Sequence, residues 1–175
     1  MGSFAIIFIF LLSIAQFSTV SADTAMMRSA CKNTNYYNLC LSSLKSNSSS
    51  FKADTKGLAA IIIGIAMTNA NQTTTFLSSQ LLSSTSDLVI KKVVKDCADK
   101  YSLAMDALQV SLQELDSMSY DNAYVQVTAA KDYPNVCHNG YKRYPGLAYP
   151  VEVAHREQQL EQLCDVALGI VDLLG

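Results

Sequence analysis

Residues 96–137 read DCADKYSLAMDALQVSLQELDSMSYDNAYVQVTAAKDYPNVC, and a cysteine stands near each end, Cys97 and Cys137. Before the break at 116–119, Cys97, Ala104, Leu108, Leu112 and Leu115 recur at helical steps. After it, Ala123, Val127, Ala130 and Cys137 do the same in a helix that Ser119 begins. Two amphipathic helices joined by so short a connection pack as antiparallel neighbours. In such a pair the start of the first helix and the far end of the second lie together, within reach of a disulfide. Pro134 is expected to bend or interrupt the second helix, because proline lacks an amide donor and clashes with the preceding turn. Asn139-Gly140 is expected to close it, and Tyr144-Pro145-Gly146 to form a loop.

The same grammar extends both ways. Upstream, Val93 continues the stripe and Asp87 is placed to cap the helix. Before that, Ser83-Ser84-Thr85-Ser86 ends another helix, capped by Asp54 and carrying Leu58, Ile61, Ile62, Ile65, Ala66 and Phe76 through about Leu82. Ile61-Ile62-Ile63 is β-branched, but the length and the Ala-rich flanks favour helix over strand. Downstream, Pro150 suits the first turn of a last helix. Its apolar stripe is Val153, Leu160, Leu163, Cys164, Ala167, Ile170, Val171 and Leu174. The expected fold is all-α: an antiparallel up-down-up-down four-helix bundle over 51–175. A helical hairpin and polar linker (residues 23–50) precede it, with a turn at Asn33-Thr34-Asn35.

Residues Phe4 to Val20 form an apolar run followed by the small residues Val20-Ser21-Ala22. This is the pattern of a signal peptide over 1–22, with Asp23 as mature N-terminus. As a membrane anchor the run is short and lacks a following basic cluster. An oxidising destination makes the five cysteines disulfide candidates rather than metal ligands. Spacing alone leaves three pairings among four cysteines, and more if Cys164 takes part. Local geometry favours Cys31–Cys40 and Cys97–Cys137, contributing about 2.7 and about 3.9 kcal/mol by loop closure. Cys164 then stands as a free thiol, either redox-active or a buried small hydrophobe; its place on the stripe favours the second. Asn47-Ser48-Ser49 and Asn71-Gln72-Thr73 are glycosylation sequons.

Composition narrows function further. A net charge of −2 argues against nucleic acid as a partner. Of the second bundle helix's charges, Asp96 to Lys100 and Lys92 to Asp96 are spaced for pairing along the helix. The cluster Lys91, Lys92, Lys95 reads as a solvated face more readily than a docking patch. His138 beside Asn139-Gly140 reads as a surface turn residue, and His155 as a solvated helical one. No constellation of metal ligands, nucleophile and base, or paired acids assembles, so neither enzyme activity nor a cofactor is expected. Tyr120 and Tyr124, one helical turn apart, form the best contact surface, with Asp121, Asn122 and Lys131 as polar rim. A small apolar-ligand carrier is a remote alternative, disfavoured by stripes of large aliphatics that fill the core. A recognition protein without an enzyme target also stays open.

Taken in order, Cys31-Lys32-Asn33-Thr34-Asn35-Tyr36-Tyr37-Asn38-Leu39-Cys40, Asp54-Thr55-Lys56-Gly57-Leu58, Asp96-Cys97 with Tyr101, Ala129-Ala130-Lys131-Asp132 and Leu160-Glu161-Gln162-Leu163-Cys164-Asp165 resemble the plant invertase and pectin methylesterase inhibitor family. The resemblance implies a stand-alone inhibitor: a disulfide-stapled hairpin ahead of a four-helix bundle. It implies one-to-one inhibition of a cell-wall or vacuolar carbohydrate-active enzyme by a monomer in the apoplast or vacuole. Pollen allergens occur in the family as well. Members that inhibit invertase typically carry Pro-Lys-Phe early in the third bundle helix. Counting back from Cys137, Tyr120-Asp121-Asn122 stand there, and they look more like the Asp-Tyr-Asn of pectin methylesterase inhibitors. The resemblance thus favours pectin methylesterase as target, blocked sterically at its substrate cleft, with acid invertase as the alternative. The mild acidity would steer the chain toward a basic target surface.

Overall fold

The computed structural model describes residues 24–175; the expected signal peptide lies outside the described residues. A first helix, α1, covers 24–31 and α2 spans Tyr37–Lys45. Between them the turn closes on its own side chains. Asn33 Nδ2 donates to the Ser29 carbonyl at 3.3 Å and Thr34 Oγ1 to the Cys31 carbonyl at 2.8 Å. These bonds satisfy carbonyls that the end of a helix leaves free. The Cys31–Cys40 disulfide, with Cα atoms 5.6 Å apart, ties the hairpin shut. The segment expected to be a plain polar linker instead contains a 3-10 turn, Ser48–Lys52. Asn47 holds its start by accepting from the Ser49 amide at 2.9 Å.

The four long helices are α3 (Thr55–Phe76), α4 (Leu88–Asp116), α5 (Tyr120–Lys142) and α6 (Val151–Val171). Asp54 caps α3 by accepting from Gly57 N at 2.8 Å, and Asp87 caps α4 by accepting from Val89 N and Ile90 N. Each such cap satisfies amides with no intrahelical partner and contributes about 1 kcal/mol. The C-terminal half of α3 is rich in threonine, which often leaves helices. Here the Thr73, Thr74 and Thr75 hydroxyls bond back to carbonyls four residues earlier, and the chain stays helical into a π turn at Leu77–Leu81.

The helices pack in a ring, α3 against α4, α4 against α5, α5 against α6, and α6 back against α3. The antiparallel sense of α4 and α5 is fixed at both ends. The Cys97–Cys137 disulfide joins one end with Cα atoms 4.7 Å apart, and Ser111 Oγ donates to the Ala123 carbonyl at 3.1 Å near the other. The core holds the expected faces: Val93, Cys97, Ala104, Leu108 and Leu115 of α4, and Ala123, Val127, Ala130 and Cys137 of α5, are all buried. The hairpin sits on α6 at Gly169. A Cβ there would lie 2.7 Å from the Asn33 carbonyl oxygen, so only glycine allows the approach.

Several details depart from the sequence reading. Helix α5 runs unbroken through buried Pro134 and on past Asn139-Gly140 to Lys142. Proline removes a single ladder bond, and packing on α4 and α6 on either side keeps the helix in register. Gly140 does not take the left-handed conformation of a helix-ending glycine. It lies beside Val93, and Tyr141 after it is buried. His138 is therefore a helical residue and not a turn residue. Along α4 the ion pair that forms is Lys95 Nζ to Asp99 Oδ2 at 3.0 Å, rather than one of the pairs through Asp96. Cys164 is fully buried, and burial pushes its thiol up to about 12.

Candidate contact surface at the α4–α5 end

The turn between α4 and α5 begins this surface. Met118 N donates to the Leu115 carbonyl at 3.1 Å and Ser119 N to the Glu114 carbonyl at 2.8 Å, the paired bonds of a Schellman motif. The residue that takes the left-handed conformation in that motif is usually glycine. Here it is Met118, with φ 59°, and its side chain is 71% exposed. A residue with a Cβ in that region costs about 1–2 kcal/mol. The turn thus holds a long apolar side chain out in solvent at the tip of the bundle.

Directly after it, the first turns of α5 lie against the end of α6. Tyr120, Asp121, Tyr124 and Val125 form one wall of a groove of about 280 Å³, and Val171, Asp172 and Gly175 form the other. Tyr124 is 40% exposed and Val125 61%. Tyrosine presents a wide face with few rotatable bonds, so it binds a partner with little entropic cost. Asn122 turns the other way: its Nδ2 donates to Ser119 Oγ at 3.0 Å and lies 3.5 Å from Glu114 Oε2.

Of the five residues singled out from sequence, Tyr120, Asp121 and Tyr124 thus share one groove, and Asn122 flanks it. Lys131 does not join them. It lies more than two turns along α5, where it forms an ion pair with Asp165 of α6, and that hydrogen bond holds its ammonium pKa above the ordinary lysine value. Sequence reasoning missed Met118, Val125 and Asp172. A methionine where a helix-ending glycine is expected was the available signal, and the chain end meeting α5 left none. Carboxylates rim this end of the bundle, Asp54, Glu114, Asp116, Asp121 and Asp172, interspersed with Lys32, Lys52 and Lys56, of which Lys56 lies 4.0 Å from Asp116.

A second polar cluster lies near the opposite end, between α4, α5 and α6. Tyr149 from the α5–α6 connection donates to Glu157 Oε2 at 2.7 Å, and Glu157 is buried. His138 stacks on Tyr149 with ring centroids 4.5 Å apart, its Nδ1 3.7 Å from Glu157 Oε2. Tyr141 meets Tyr149 edge-on at 5.1 Å. Burial first, then the bond to Glu157, raises the Tyr149 phenol far above its ordinary value. Tyr149, Glu157 and His138 pair with one another, whereas the buried hydroxyl of Tyr141 has no hydrogen-bond partner among the described residues. No set of three metal-ligating side chains occurs among the described residues. Of the sequon residues, Asn71 is exposed on α3, whereas the Asn47 side chain caps the 3-10 turn.

A model of the plant invertase/pectin methylesterase inhibitor family matches residues 25–170, spanning both the hairpin and the ring of helices. The chain belongs to that family. It is a family of inhibitors, not enzymes. An Arabidopsis thaliana protein named "Cell wall / vacuolar inhibitor of fructosidase 2" is 49% identical over 157 residues, covering 90% of this chain and 87% of its own. "Pectinesterase inhibitor 28" of Oryza sativa subsp. japonica is 37% identical, covering 86% of this chain and 69% of its own. Among solved structures, a mutant form of an Arabidopsis pectin methylesterase inhibitor superposes with a TM-score of 0.70 at 25% identity. The match covers 85% of this chain and 97% of that one.

Proposed function

We propose that this family member inhibits an acid invertase, a fructose-releasing hydrolase of the cell wall or vacuole, by occluding its substrate cleft one-to-one. The observation that carries the reading is the 49% identity to a protein named as an inhibitor of fructosidase, against 37% and 30% for proteins named as pectinesterase inhibitors. It outweighs the motif argument that favoured pectin methylesterase. The absence of Pro-Lys-Phe at Tyr120-Asp121-Asn122 says only that one known way of engaging invertase is missing. Where that motif would stand, this chain offers Met118, Tyr120, Tyr124 and Val125 at a bundle tip. Release to the apoplast or delivery to the vacuole follows from the leader at residues 1–22, and the Cys31–Cys40 and Cys97–Cys137 bridges suit either compartment.

The test is a paired titration of the mature protein against a plant acid invertase and a pectin methylesterase at mildly acidic pH. Stoichiometric inhibition of invertase alone is expected. Tyr124→Ala is expected to weaken that inhibition by about tenfold to a hundredfold, the range of an exposed aromatic anchor. Inhibition of pectin methylesterase alone would reverse the assignment, and inhibition of neither would end it.

A further inference from the structure

The α4–α5 pair distributes its charged residues unevenly along its length. The end away from the Tyr120 groove gathers Lys91, Lys92, Lys95, Lys100, Lys142 and Arg143 beside Asp87, Asp96 and Asp99. The sequence shows the lysine cluster of α4 alone. Folding adds Lys142 and Arg143, some forty to fifty residues later in the chain, because α5 returns antiparallel to α4 and the Cys97–Cys137 bridge fixes that end. Over this bridge lies a groove of about 340 Å³, walled by Lys92, Asp96, Asp99, Lys100, Arg143 and Tyr144. It lies about 30 Å along α5 from the Tyr120 groove, at 1.5 Å per residue.

We propose that this groove binds an acidic polysaccharide built of uronate sugars. Three features of the lining select that chemistry. Lys92, Lys100 and Arg143 supply cations, and the arginine fork matches a planar carboxylate through two parallel hydrogen bonds. Asp96 and Asp99 are acceptors without protons to give, so they suit a ligand that brings hydroxyl donors beside its negative charges. Asp99 is shared with Lys95, whereas Asp96 lies one helical turn from both Lys92 and Lys100. Val136 is exposed in the lining and offers an apolar face for the C–H side of a sugar ring, with Val93 and the disulfide buried beneath. The two aspartates repel any polyanion, but a DNA backbone brings no hydroxyl donors to offset that repulsion, whereas a uronate chain does. A neutral glucan leaves the three cations unused. The inference stands apart from the choice of enzyme target.

Affinity electrophoresis of the protein in native gels cast with polygalacturonate, with neutral dextran, or run against duplex DNA tests it. Retardation by polygalacturonate alone is expected, falling as added salt shortens the Debye length below about 10 Å. The triple variant K92Q/K100Q/R143Q is expected to raise the apparent Kd by about tenfold, as loss of three exposed charge contacts implies. Arg143→Lys, which keeps the charge but not the fork, is expected to fall between. Because these side chains are solvent-facing, circular dichroism and inhibitory titre of the triple variant are expected to match the unmodified protein. Equal migration of variant and parent in polygalacturonate, or retention on dextran, would overturn the proposal. Equal retention on DNA would reduce the groove to unspecific polyanion attraction and overturn the uronate assignment. A triple variant that folds but loses inhibition would make the groove part of the target interface instead, and overturn it as a separate site.

Discussion

Helix α5 is held on its two sides by different physics. Toward α4 the seam is mostly apolar and covalent: Ala104, Leu108 and Leu115 face Ala123, Val127 and Ala130, one buried hydrogen bond runs from Ser111 to the Ala123 carbonyl, and the Cys97–Cys137 bridge closes one end. Small side chains let the two backbones come close, and no group there titrates near neutral pH. Toward α6 the seam is polar. Glu157, Glu161 and Asp165 recur every fourth residue on α6, answered from α5 by His138 and Lys131 and from α4 and the loop by Tyr101 and Tyr149. The first seam sets how much the bundle resists unfolding. The second sets how that resistance depends on conditions.

Removing the bridge is the largest way to break this contrast. Cys97→Ser with Cys137→Ser opens a loop of sequence separation 40 and is expected to cost about 4 kcal/mol in urea denaturation. The same change at Cys31 and Cys40, with separation 9, is expected to cost about 2.7 kcal/mol. Both losses should be equal at pH ~5 and pH ~7, since neither bridge titrates. A bridge loss that varied strongly with pH would mean that the two seams are not independent.

Next in size are the polar contacts of the α6 side. Tyr149→Phe removes the hydroxyl that donates to buried Glu157 and is expected to cost about 2 kcal/mol, the value of a hydrogen bond to a charged group. His138 stacked on Tyr149 keeps the ring in place in that variant, so the loss is the bond and not the packing. Lys131→Met is expected to cost about 1 kcal/mol, because Asp165 stays partly buried without its cation while the methionine retains most of the apolar stem. The Lys131 contribution has its own pH signature. The ammonium pKa is raised by its bond to Asp165, so the contribution is complete below the ordinary lysine value and is lost as pH climbs through the raised one. A melt series carried from pH ~9 to pH ~12 should show Lys131→Met converging on the parent only above the ordinary lysine value.

The two seams also differ in how far they could be read from sequence. The α4–α5 seam was legible because helical period, the Asp87 cap and the cysteine spacing all point the same way, and apolar faces pack where periodicity puts them. The α5–α6 seam was not. Tyr149 lies in a loop, His138 follows what looks like a helix stop, and Glu157 sits one residue from Arg156 on a helix whose charges read as solvated. Only the return of α6 beside α5 turns those residues into one buried cluster. The contact groove is intermediate: Tyr120, Asp121 and Tyr124 share a helix and could be grouped by spacing, whereas Asp172 arrives from the other end of the chain. Asn139-Gly140 misled for a related reason. Glycine ends a helix only if it takes the left-handed conformation, and the packing of Tyr141 keeps Gly140 helical.

The smallest effect is the most diagnostic of the polar seam. Burial raises the Glu161 carboxyl, and Glu157 and Asp165 raise it further, against Lys131 and His138, which lower it. The folded protein therefore holds a proton on Glu161 more tightly than the unfolded chain does. Its contribution is fully present below the ordinary carboxyl value and is lost as pH rises through the raised one. The unfolding free energy is accordingly expected to increase as pH falls from ~7 toward ~5, before the other carboxylates begin to protonate. Glu161→Gln keeps the side chain's shape, removes the like-charge repulsion along α6, and should flatten that part of the profile while leaving the bridge contribution untouched. Glu161 is partly solvated, so the change in slope should be smaller than any of the losses above. If E161Q left the slope unchanged, the acid ladder would be too well screened to matter. The polar seam would then differ from the apolar one in composition only, and not in what it makes the protein do.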